Sequence, residues 1–378
     1  MALRPGFTRY AVSLQYHGSS FLGFSWQRDQ EDCILPDGTD LTGYRSVEGR
    51  LREALWDLLR SRNRLRESKD GVDHDSNPQF ENIQVSSRTD RGVHALHNTL
   101  HVDIANRSDG KAWCATNLHR GLNYHLSRQY FGADGKSTNI SRHHLPRGGM
   151  TFSRWSPMNE VRILNVRKAP LFMDNPFAMD DPNQPLQVEW NARFSATERI
   201  YLYRLLHSTT DERDWAAPFE WDRAWRINRC LDLGAMQEAA SHFRGTLDVS
   251  SFRTTGCQRQ SPIVTMSDVS LTTRPYGSFA DLWDNNSSIR YGNDIGLMHM
   301  VDCPSEALLL TTILVRGNAF VYRQVRNMVG CLVAVGMGQI DASAIPNLLA
   351  QRSRRAAPSM APAHGLFLAR VRHGDFSF

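Results

Sequence analysis

An aspartate in an arginine-rich turn is the strongest candidate for chemistry in this sequence. Asp90 follows Arg88 and Thr89 and precedes Arg91 and Gly92, between two segments whose apolar residues alternate as in strands. An aspartate at such a turn is usually structural, because its side chain caps the backbone and tolerates left-handed geometry. Arg88 would share a strand face with Asp90 and could hold its carboxylate ionised. An ionised and oriented carboxylate can act as a nucleophile.

Two further segments could contribute to a site around this aspartate. A predicted helix places Tyr322 and Arg326 on one polar edge, where the arginine is either an ordinary surface residue or a second cation for Asp90. A predicted strand places aromatic and basic side chains on one face. Such stripes usually pack in a core, but they can also stack on a nucleobase and bind its phosphates. The residues of this face are Arg199, Tyr201 and Tyr203.

The composition predicts a globular protein that could bind a polyanion. The chain has 378 residues, 41% of them hydrophobic, and its 44 lysines and arginines against 39 acids give a formal net charge of +5. This length exceeds one typical hydrophobic core, so two domains are expected. The positive charge suits a groove for nucleic acid but does not prove one. The six cysteines form no C-x-x-C pair, so neither a zinc site nor a disulfide framework is predicted.

Apolar periodicity predicts strands and helices in both halves of the chain. Strands are expected at 10–16, 83–85, 100–104, 161–166, 200–206, 263–271 and 308–315, and helices at 47–59, 118–126, 231–243 and 320–335. Ser46 is the expected cap of the first helix. The polar stretch 179–185, with its two prolines, is the best linker candidate and divides the chain into domains 1–184 and 185–378. The segments 28–40, 132–150 and 272–304 are interpreted as insertions.

The apolar runs are too short for a membrane span, and no secretory signal is present, so neither membrane insertion nor secretion is expected. The compartment stays open between cytoplasm, nucleus and mitochondrion.

The segment from Arg88 to Ala95 resembles the signature of the TruA-type family of tRNA pseudouridine synthases. Five other segments resemble the family in the same order along the chain. These are Tyr16-x-Gly18, the stretch from Phe194 to Tyr203, Phe252 to Gln258, Asn318 to Gly330, and Ala361 to Leu368. The insertions resemble those of the expanded eukaryotic pseudouridylate synthase-like branch of this family.

The resemblance implies an α+β fold with two α/β domains, largely antiparallel sheets flanked by helices, and an active-site cleft between the domains. It implies an isomerase that converts uridine to pseudouridine in tRNA, on the 3′ side of the anticodon arm, with Asp90 as nucleophile. No metal or cofactor is expected, because the uracil is both the leaving group and the nucleophile. The expected partner is tRNA, with no membrane. Bacterial members are homodimers, and the oligomeric state of this chain stays open.

The resemblance also implies a role for each matching residue. Tyr201 would stack on the target uracil, and Arg326 would pair with Asp90. Arg88 would help to open the RNA helix or hold the phosphate beside the flipped nucleotide. Arg91 stands where the family usually has a small residue, so it could add a phosphate contact or narrow the entrance. The other residues expected at the substrate are Thr89, His94, Arg199, Phe252 and Asn318.

Other functions fit the sequence less well. The histidines His94, His97 and His101 lack the spacing of a zinc motif. The turn lacks the Asp-Thr-Gly of an aspartic protease, and no nearby motif supplies the second carboxylate of a glycosidase. The remaining alternative is a catalytically inactive RNA-binding or tRNA-folding protein of the same fold. The joint presence of the aspartate, the two arginines and the tyrosine argues against it.

Overall fold

The computed structural model describes residues 3–25, 46–67, 79–127, 130–131, 137–138, 160–174, 187–209, 217–276, 308–374 and 376. The chain forms two compact units, Met1–Arg199 together with Phe367–Phe378, and Ile200–Leu366. The last residues thus belong to the first unit, whereas the sequence placed all of 185–378 in the second domain. The linker expected at 179–185 lies outside the described residues, so the boundary at 184/185 stays a prediction.

The described residues contain fourteen strands and five α-helices. The strands are β1 (Phe7–Tyr16), β2 (Phe80–Val85), β3 (His94–Ala105), β4 (Tyr130–Phe131), β5 (Ser137–Thr138), β6 (Val161–Lys168), β7 (Phe172–Asp174), β8 (Gln187–Glu189), β9 (Glu198–Ser208), β10 (Trp225–Ile227), β11 (Gly245–Asp248), β12 (Ile263–Pro275), β13 (Leu308–Gly317) and β14 (Leu366–Arg372). The helices are α1 (Val47–Glu67), α2 (Ala115–Ser127), α3 (Leu233–Ser241), α4 (Gln324–Gly336) and α5 (Ala344–Gln351).

In the first unit, β1 lies between β3 and β6 and pairs with both in antiparallel orientation. On the other side of β3, β2 pairs antiparallel, while β14 pairs parallel through Phe367 opposite His94. This pairing places the end of the chain in the first unit. Strand β1 is buried on both faces from Arg9 to Leu14, so it is more deeply enclosed than the half-buried strand that its alternation predicted.

Helix α1 begins where the sequence predicted. The Ser46 hydroxyl accepts a hydrogen bond from the backbone N–H of Gly49 at 2.9 Å, which satisfies one of the N–H groups left open at a helix start. The apolar residues that recur at helical spacing are all buried, and they are Val47, Leu51, Ala54, Leu55, Leu58 and Leu59. Periodicity and cap therefore predicted this element correctly.

In the second unit, β12 lies between β11 and β13 and pairs with both in antiparallel orientation. Strand β9 lies next to β13 in the sheet and pairs parallel with β10. Strand β12 continues to Pro275, so the first residues of the expected insertion 272–304 belong to a strand, and 277–304 lies outside the described residues. The insertion 28–40 and most of 132–150 also lie outside the described residues.

Helix α4 differs from its prediction in both its start and its surroundings. It begins at Gln324, because Arg323 adopts the left-handed conformation with φ 62° and interrupts the helical path. Tyr322 therefore precedes the helix, and the expected polar edge of Tyr322 and Arg326 is wrong. All residues of α4 are buried, so this helix is enclosed rather than amphipathic.

The predicted α+β class with largely antiparallel strand pairing is confirmed. Among the described residues, none of the helices has the length and apolar composition that crossing a membrane requires.

Candidate active site

The backbone around Asp90 is held by hydrogen bonds to the segment after β1. Asp90 forms an isolated antiparallel bridge with Gly23, and the carbonyl of Thr89 accepts a hydrogen bond from the N–H of Phe24 at 3.0 Å. Gly23 has φ +127°, and a Cβ atom there would lie 2.9 Å from the Thr89 carbonyl oxygen. A side chain at position 23 would therefore disturb the residue before Asp90.

The same turn is closed from its other side. The N–H of Val93 donates to the Asp90 carbonyl at 3.1 Å, and the N–H of Gly92 donates to the carbonyl of Phe21 at 3.2 Å. The chain reverses at Arg91 and Gly92, as the sequence predicted. Strand β2, however, ends at Val85, so Arg88 does not lie on a strand, and the argument that it shares a strand face with Asp90 is wrong.

The charged residues of this turn are the accessible ones. Arg88 and Arg91 are exposed and Asp90 is partly exposed, whereas Thr89 is only 7% exposed. The hydroxyl oxygens of Thr89 and Tyr16 are 2.7 Å apart. A partly exposed aspartate thus stands in the same short segment as two exposed arginines, on a backbone held by hydrogen bonds, which suits chemistry beside a phosphate.

His94 is a positioning residue in the interior. Its side chain is 1% exposed, its Nδ1 accepts a hydrogen bond from the N–H of Gly18 at 3.0 Å, and its ring stacks on Phe367. A Cβ atom on Gly18 would lie 2.0 Å from the Val93 carbonyl oxygen, so only glycine permits this close approach. These contacts give His94 a structural role, and its expected contact with substrate stays a prediction.

Arg199 is also bound internally. Its guanidinium donates to the carbonyl of Ala196 at 2.8 Å, and one nitrogen, Nη2, donates both to Ser86 at 3.0 Å and to Arg193 at 3.1 Å. These carbonyls belong to the first unit, and one of them precedes the Asp90 turn. Arg199 thus joins two backbone segments of the first unit, and its expected contact with substrate stays a prediction.

A buried polar cluster anchors the end of the chain beside β3. The Nε2 of His373 lies 2.6 Å from the Thr99 hydroxyl, and its Nδ1 lies 3.2 Å from the Ser195 hydroxyl. Burial lowers the pKa of His373 to about 3, with the charge of Arg199 acting in the same direction. Burial likewise lowers the pKa of His101 to about 4. Both histidines are therefore neutral near neutral pH.

In the second unit, Arg326 is fixed on α4 by a reciprocal pair of hydrogen bonds. Its Nε donates to the Ala361 carbonyl at 2.9 Å, and the N–H of Ala361 donates to the Arg326 carbonyl at 3.1 Å. Arg326 is only 9% exposed. One turn further along α4, a Cβ on Gly330 would lie 2.0 Å from the Ser359 carbonyl oxygen, so the segment before Ala361 packs directly on the helix.

The aromatic residues of β9 face the core of the second unit. Tyr203 is fully buried and donates its hydroxyl proton to the Pro362 carbonyl at 2.8 Å, and burial raises its pKa although Arg326 opposes this. Tyr201 is 6% exposed and meets the ring of Phe320 edge-on at 5.0 Å. Core packing, the ordinary function of such a stripe, explains Tyr203. Stacking of Tyr201 on uracil stays a prediction.

Two other expected substrate residues serve the fold of the second unit. Phe252 is fully buried against Phe243, and its carbonyl accepts a hydrogen bond from the Asn327 side chain at 2.7 Å. These contacts give the Phe252 side chain a place in the core, and its expected contact with substrate stays a prediction. Asn318 is exposed, but its side-chain oxygen accepts the N–H of Thr265 at 3.1 Å.

The structure thus gathers Arg88, Thr89, Asp90 and Arg91 in one turn of the first unit and fixes Arg326 separately in the second. Sequence reasoning missed the residues that hold this turn, namely Tyr16, Gly18, Gly23 and Asn98. The motif Tyr16-x-Gly18 was recognisable in the sequence, but its spacing did not indicate that these residues contact the Asp90 segment. Nothing in the strand pattern around Asn98 distinguished this residue from its neighbours. Among the residues that the structure describes, no group of three histidine, cysteine or acidic side chains could hold a metal ion.

Comparison with known proteins adds to this geometry. A family model described as tRNA pseudouridine synthase matches residues 239–373. The chain is 27% identical to "tRNA pseudouridine synthase A" of Roseobacter denitrificans over 365 residues, which covers 96% of this chain and 94% of the relative. It is 29% identical over 341 residues to the human "tRNA pseudouridine synthase-like 1", covering 89% and 88% of the two chains. With "tRNA pseudouridine synthase A" of Rhodospirillum centenum the identity is 28% over 359 residues, or 95% and 97% of the two chains.

Proposed function

Because this chain belongs to the TruA-type family of tRNA pseudouridine synthases, we propose that it isomerises uridine to pseudouridine in tRNA with Asp90 as its nucleophile. The proposal rests on one observation, the way in which the structure restrains the backbone of this aspartate and leaves the residue accessible. Its backbone is fixed by the bridge to Gly23 and by the N–H of Val93, while its side chain stays partly exposed. A held and accessible carboxylate suits attack on a bound nucleotide.

The reaction needs the target uridine outside the base stack, because neither C1′ nor C5 is accessible within a helix. The bond from uracil N1 to ribose C1′ breaks, the uracil rotates, and a bond forms from C5 to C1′. The proton of C5 is lost and N1 gains one, so the product is an isomer of the substrate. Two courses remain for Asp90: attack on C1′, or removal of a ribose proton to give a glycal intermediate.

The neighbouring cations have proposed roles in this scheme. The exposed guanidinium groups of Arg88 and Arg91 would bind phosphates on either side of the flipped nucleotide, as arginine does through its planar array of donors. Arg326 would supply the charge that keeps Asp90 ionised, a role that rests on the family resemblance. The target would be a uridine on the 3′ side of the anticodon arm, and the oligomeric state stays open between a monomer and a homodimer.

The test is pseudouridine mapping at nucleotide resolution on tRNA incubated with three proteins. The wild-type protein should modify the tRNA and Asp90→Ala should not. Asp109→Ala is the matched control, because Asp109 also lies in an exposed turn beside an arginine, with 3.0 Å between its carboxylate and Arg107. It should modify tRNA as the wild type does. Modification by Asp90→Ala would remove this residue from its role.

The same experiment separates the finer parts of the proposal. Modified uridines outside the 3′ side of the anticodon arm would refute the target position but leave the activity intact. Binding of tRNA without modification by the wild-type protein would favour the inactive RNA-binding alternative. Arg326→Ala should turn over much more slowly with tRNA binding largely kept, and normal turnover would refute its pairing with Asp90. Light scattering of the purified protein measures whether it is a dimer.

A further inference from the structure

We propose that Tyr16 is a positioning residue for the reaction, on the premise that Asp90 is the nucleophile: its hydroxyl group fixes Thr89, the residue immediately before Asp90. Tyr16 is the last residue of β1 and is 4% exposed. Its hydroxyl oxygen lies 2.7 Å from the Thr89 hydroxyl oxygen, across 73 residues of sequence. Neither residue needs to touch the substrate for this contact to matter.

Thr89 is held twice by the same neighbouring structure. Its side chain meets Tyr16, and its carbonyl accepts the N–H of Phe24. The ring of Phe24 packs beside the ring of Tyr16, with 6.0 Å between their centroids. Because backbone and side chain are both restrained, Thr89 has little freedom to rotate, and the adjacent Asp90 inherits that orientation.

The side chain of Asn98 constrains which groups donate and which accept in the hydrogen bonds around Tyr16. Its Oδ1 accepts the backbone N–H of Thr99 at 2.8 Å, which fixes the orientation of the amide. Its Nδ2 then donates to the Ser87 carbonyl at 2.8 Å and to the Tyr16 hydroxyl at 3.3 Å. A tyrosine oxygen that accepts from Asn98 keeps its own proton available for the Thr89 hydroxyl, although either hydroxyl can be the donor in that contact.

This chain of hydrogen bonds restrains the approach to Asp90 at two points, the carbonyl of Ser87 and the side chain of Thr89. Asn98 is fully buried, and Tyr16 and Thr89 are nearly so. Hydrogen bonds in such surroundings strengthen one another and are not replaced by water when one is lost. Removing the Tyr16 hydroxyl would therefore loosen the segment 87–89 while its backbone bonds remain.

The variant Tyr16→Phe removes this one oxygen and keeps the ring. A displacement of about 1 Å at a reacting group can slow a reaction about 100-fold. Since the bridge to Gly23 and the bond from Phe24 persist, we expect a smaller effect, about 10-fold on the single-turnover rate at saturating tRNA. The dissociation constant for tRNA should stay within about twofold of the wild type.

Tyr10→Phe is the matched control on the same strand. Tyr10 is fully buried, and its hydroxyl donates to the Trp113 carbonyl at 2.7 Å, on a segment that does not hold Asp90. Tyr10→Phe loses one buried hydrogen bond, whereas Tyr16→Phe loses the contacts of its hydroxyl with Thr89 and Asn98. Both variants should therefore lower the melting temperature, Tyr16→Phe at least as much as Tyr10→Phe. Only Tyr16→Phe should slow pseudouridine formation. Equal rates for Tyr16→Phe and the wild type would overturn the proposal.

A double variant tests whether Tyr16 acts through Thr89. Thr89→Val and Tyr16→Phe remove opposite ends of the same contact, so the combined variant should be no slower than the slower single variant. Multiplied losses would show that the two hydroxyl groups act independently, which refutes the proposed path. Failure of the proposed function is distinguishable, because the wild-type protein would then form no pseudouridine at all.

Discussion

Replacing Asp103 with asparagine should destabilise the first unit by about 3 kcal/mol, because it removes the anion that lies closest to a buried guanidinium. Asp103 lies opposite Arg9 across β1 and β3. The Arg9 Nε is 2.7 Å from Oδ1 and its Nη2 is 2.8 Å from Oδ2, with side chains only 6% and 1% exposed. The hydrogen bond to Asp103 raises the pKa of Arg9. In the variant the arginine still stays charged, because a guanidinium group does not deprotonate in proteins.

The magnitude follows from what remains around Arg9. Breaking a buried ion pair on one side costs about 3–5 kcal/mol. Two acceptors persist in the variant, the Glu189 carboxylate at 3.4 Å and the Trp190 carbonyl at 2.9 Å, both from Arg9 Nη1. They offset part of the loss, which places the expected value at the lower end of that range.

Asp268→Asn is the matched control, since Asp268 lies 3.1 Å from Arg244 but the two side chains are 31% and 46% exposed. Exposed pairs contribute at most about 1 kcal/mol, so this variant should change stability little. Unfolding in urea, followed by tryptophan fluorescence, measures both variants, and the midpoint should move at constant slope. Equal losses in the two variants would refute the assignment of stability to the buried pair.

Activity provides a second readout. From His94 to Asp103 the strand β3 spans roughly 30 Å at about 3.3 Å per residue, so the ion pair is remote from the Asp90 turn. Below the unfolding transition, Asp103→Asn should form pseudouridine at the wild-type rate. A slow variant with unchanged stability would contradict this separation of roles.

Two further perturbations address the second unit and the buried histidines. Gly330→Ala should destabilise the protein by about 1–3 kcal/mol and slow pseudouridine formation, because its Cβ would lie 2.0 Å from the Ser359 carbonyl oxygen on the segment that holds Arg326. Thermal unfolding measures the stability, and a single-turnover assay measures the rate. The control variant Gly234→Ala should change neither the stability nor the rate. Lowering the pH below 6.5 should destabilise the first unit progressively, because the unfolded chain protonates histidines near 6.5 whereas burial lowers the pKa of His373 to about 3. The contribution of this histidine is fully present above pH 6.5 and falls by about 1.4 kcal/mol per pH unit between the two pKa values, so His373→Gln should flatten the pH dependence of the urea midpoint.

Local signals predicted much of the fold. Helix α1 was predictable because its apolar spacing and the Ser46 cap act within one or two turns. The start of α4 was not, because the left-handed Arg323 depends on tertiary surroundings that override a helical pattern. The Asp90 turn was predictable as a turn, yet its anchor Tyr16 lies 73 residues from Thr89 in sequence, a contact that no local pattern reveals.

Motif residues were harder to interpret than elements, because the same residue type serves a core or a substrate. Phe252 and His94 were expected at the substrate, and both are buried. Their chemistry fits either role, and only the packing distinguishes them. The positive charge of the arginines suggested contacts with RNA phosphates. Arg88 is exposed, as such a contact requires, whereas Arg199 donates hydrogen bonds to backbone carbonyls.

Two segments that resemble the family at separate places in the sequence form one structural unit here. Tyr16 contacts Thr89, and the N–H of Gly18 donates to His94, so each outer member of the Tyr16-x-Gly18 motif holds one buried residue of the Asp90 segment. Arg91, which lies between these two buried residues, and Arg88, which precedes them, are exposed. Substitutions at Tyr16 or Gly18 should therefore alter the rate of reaction, whereas substitutions at the exposed arginines should weaken the binding of RNA.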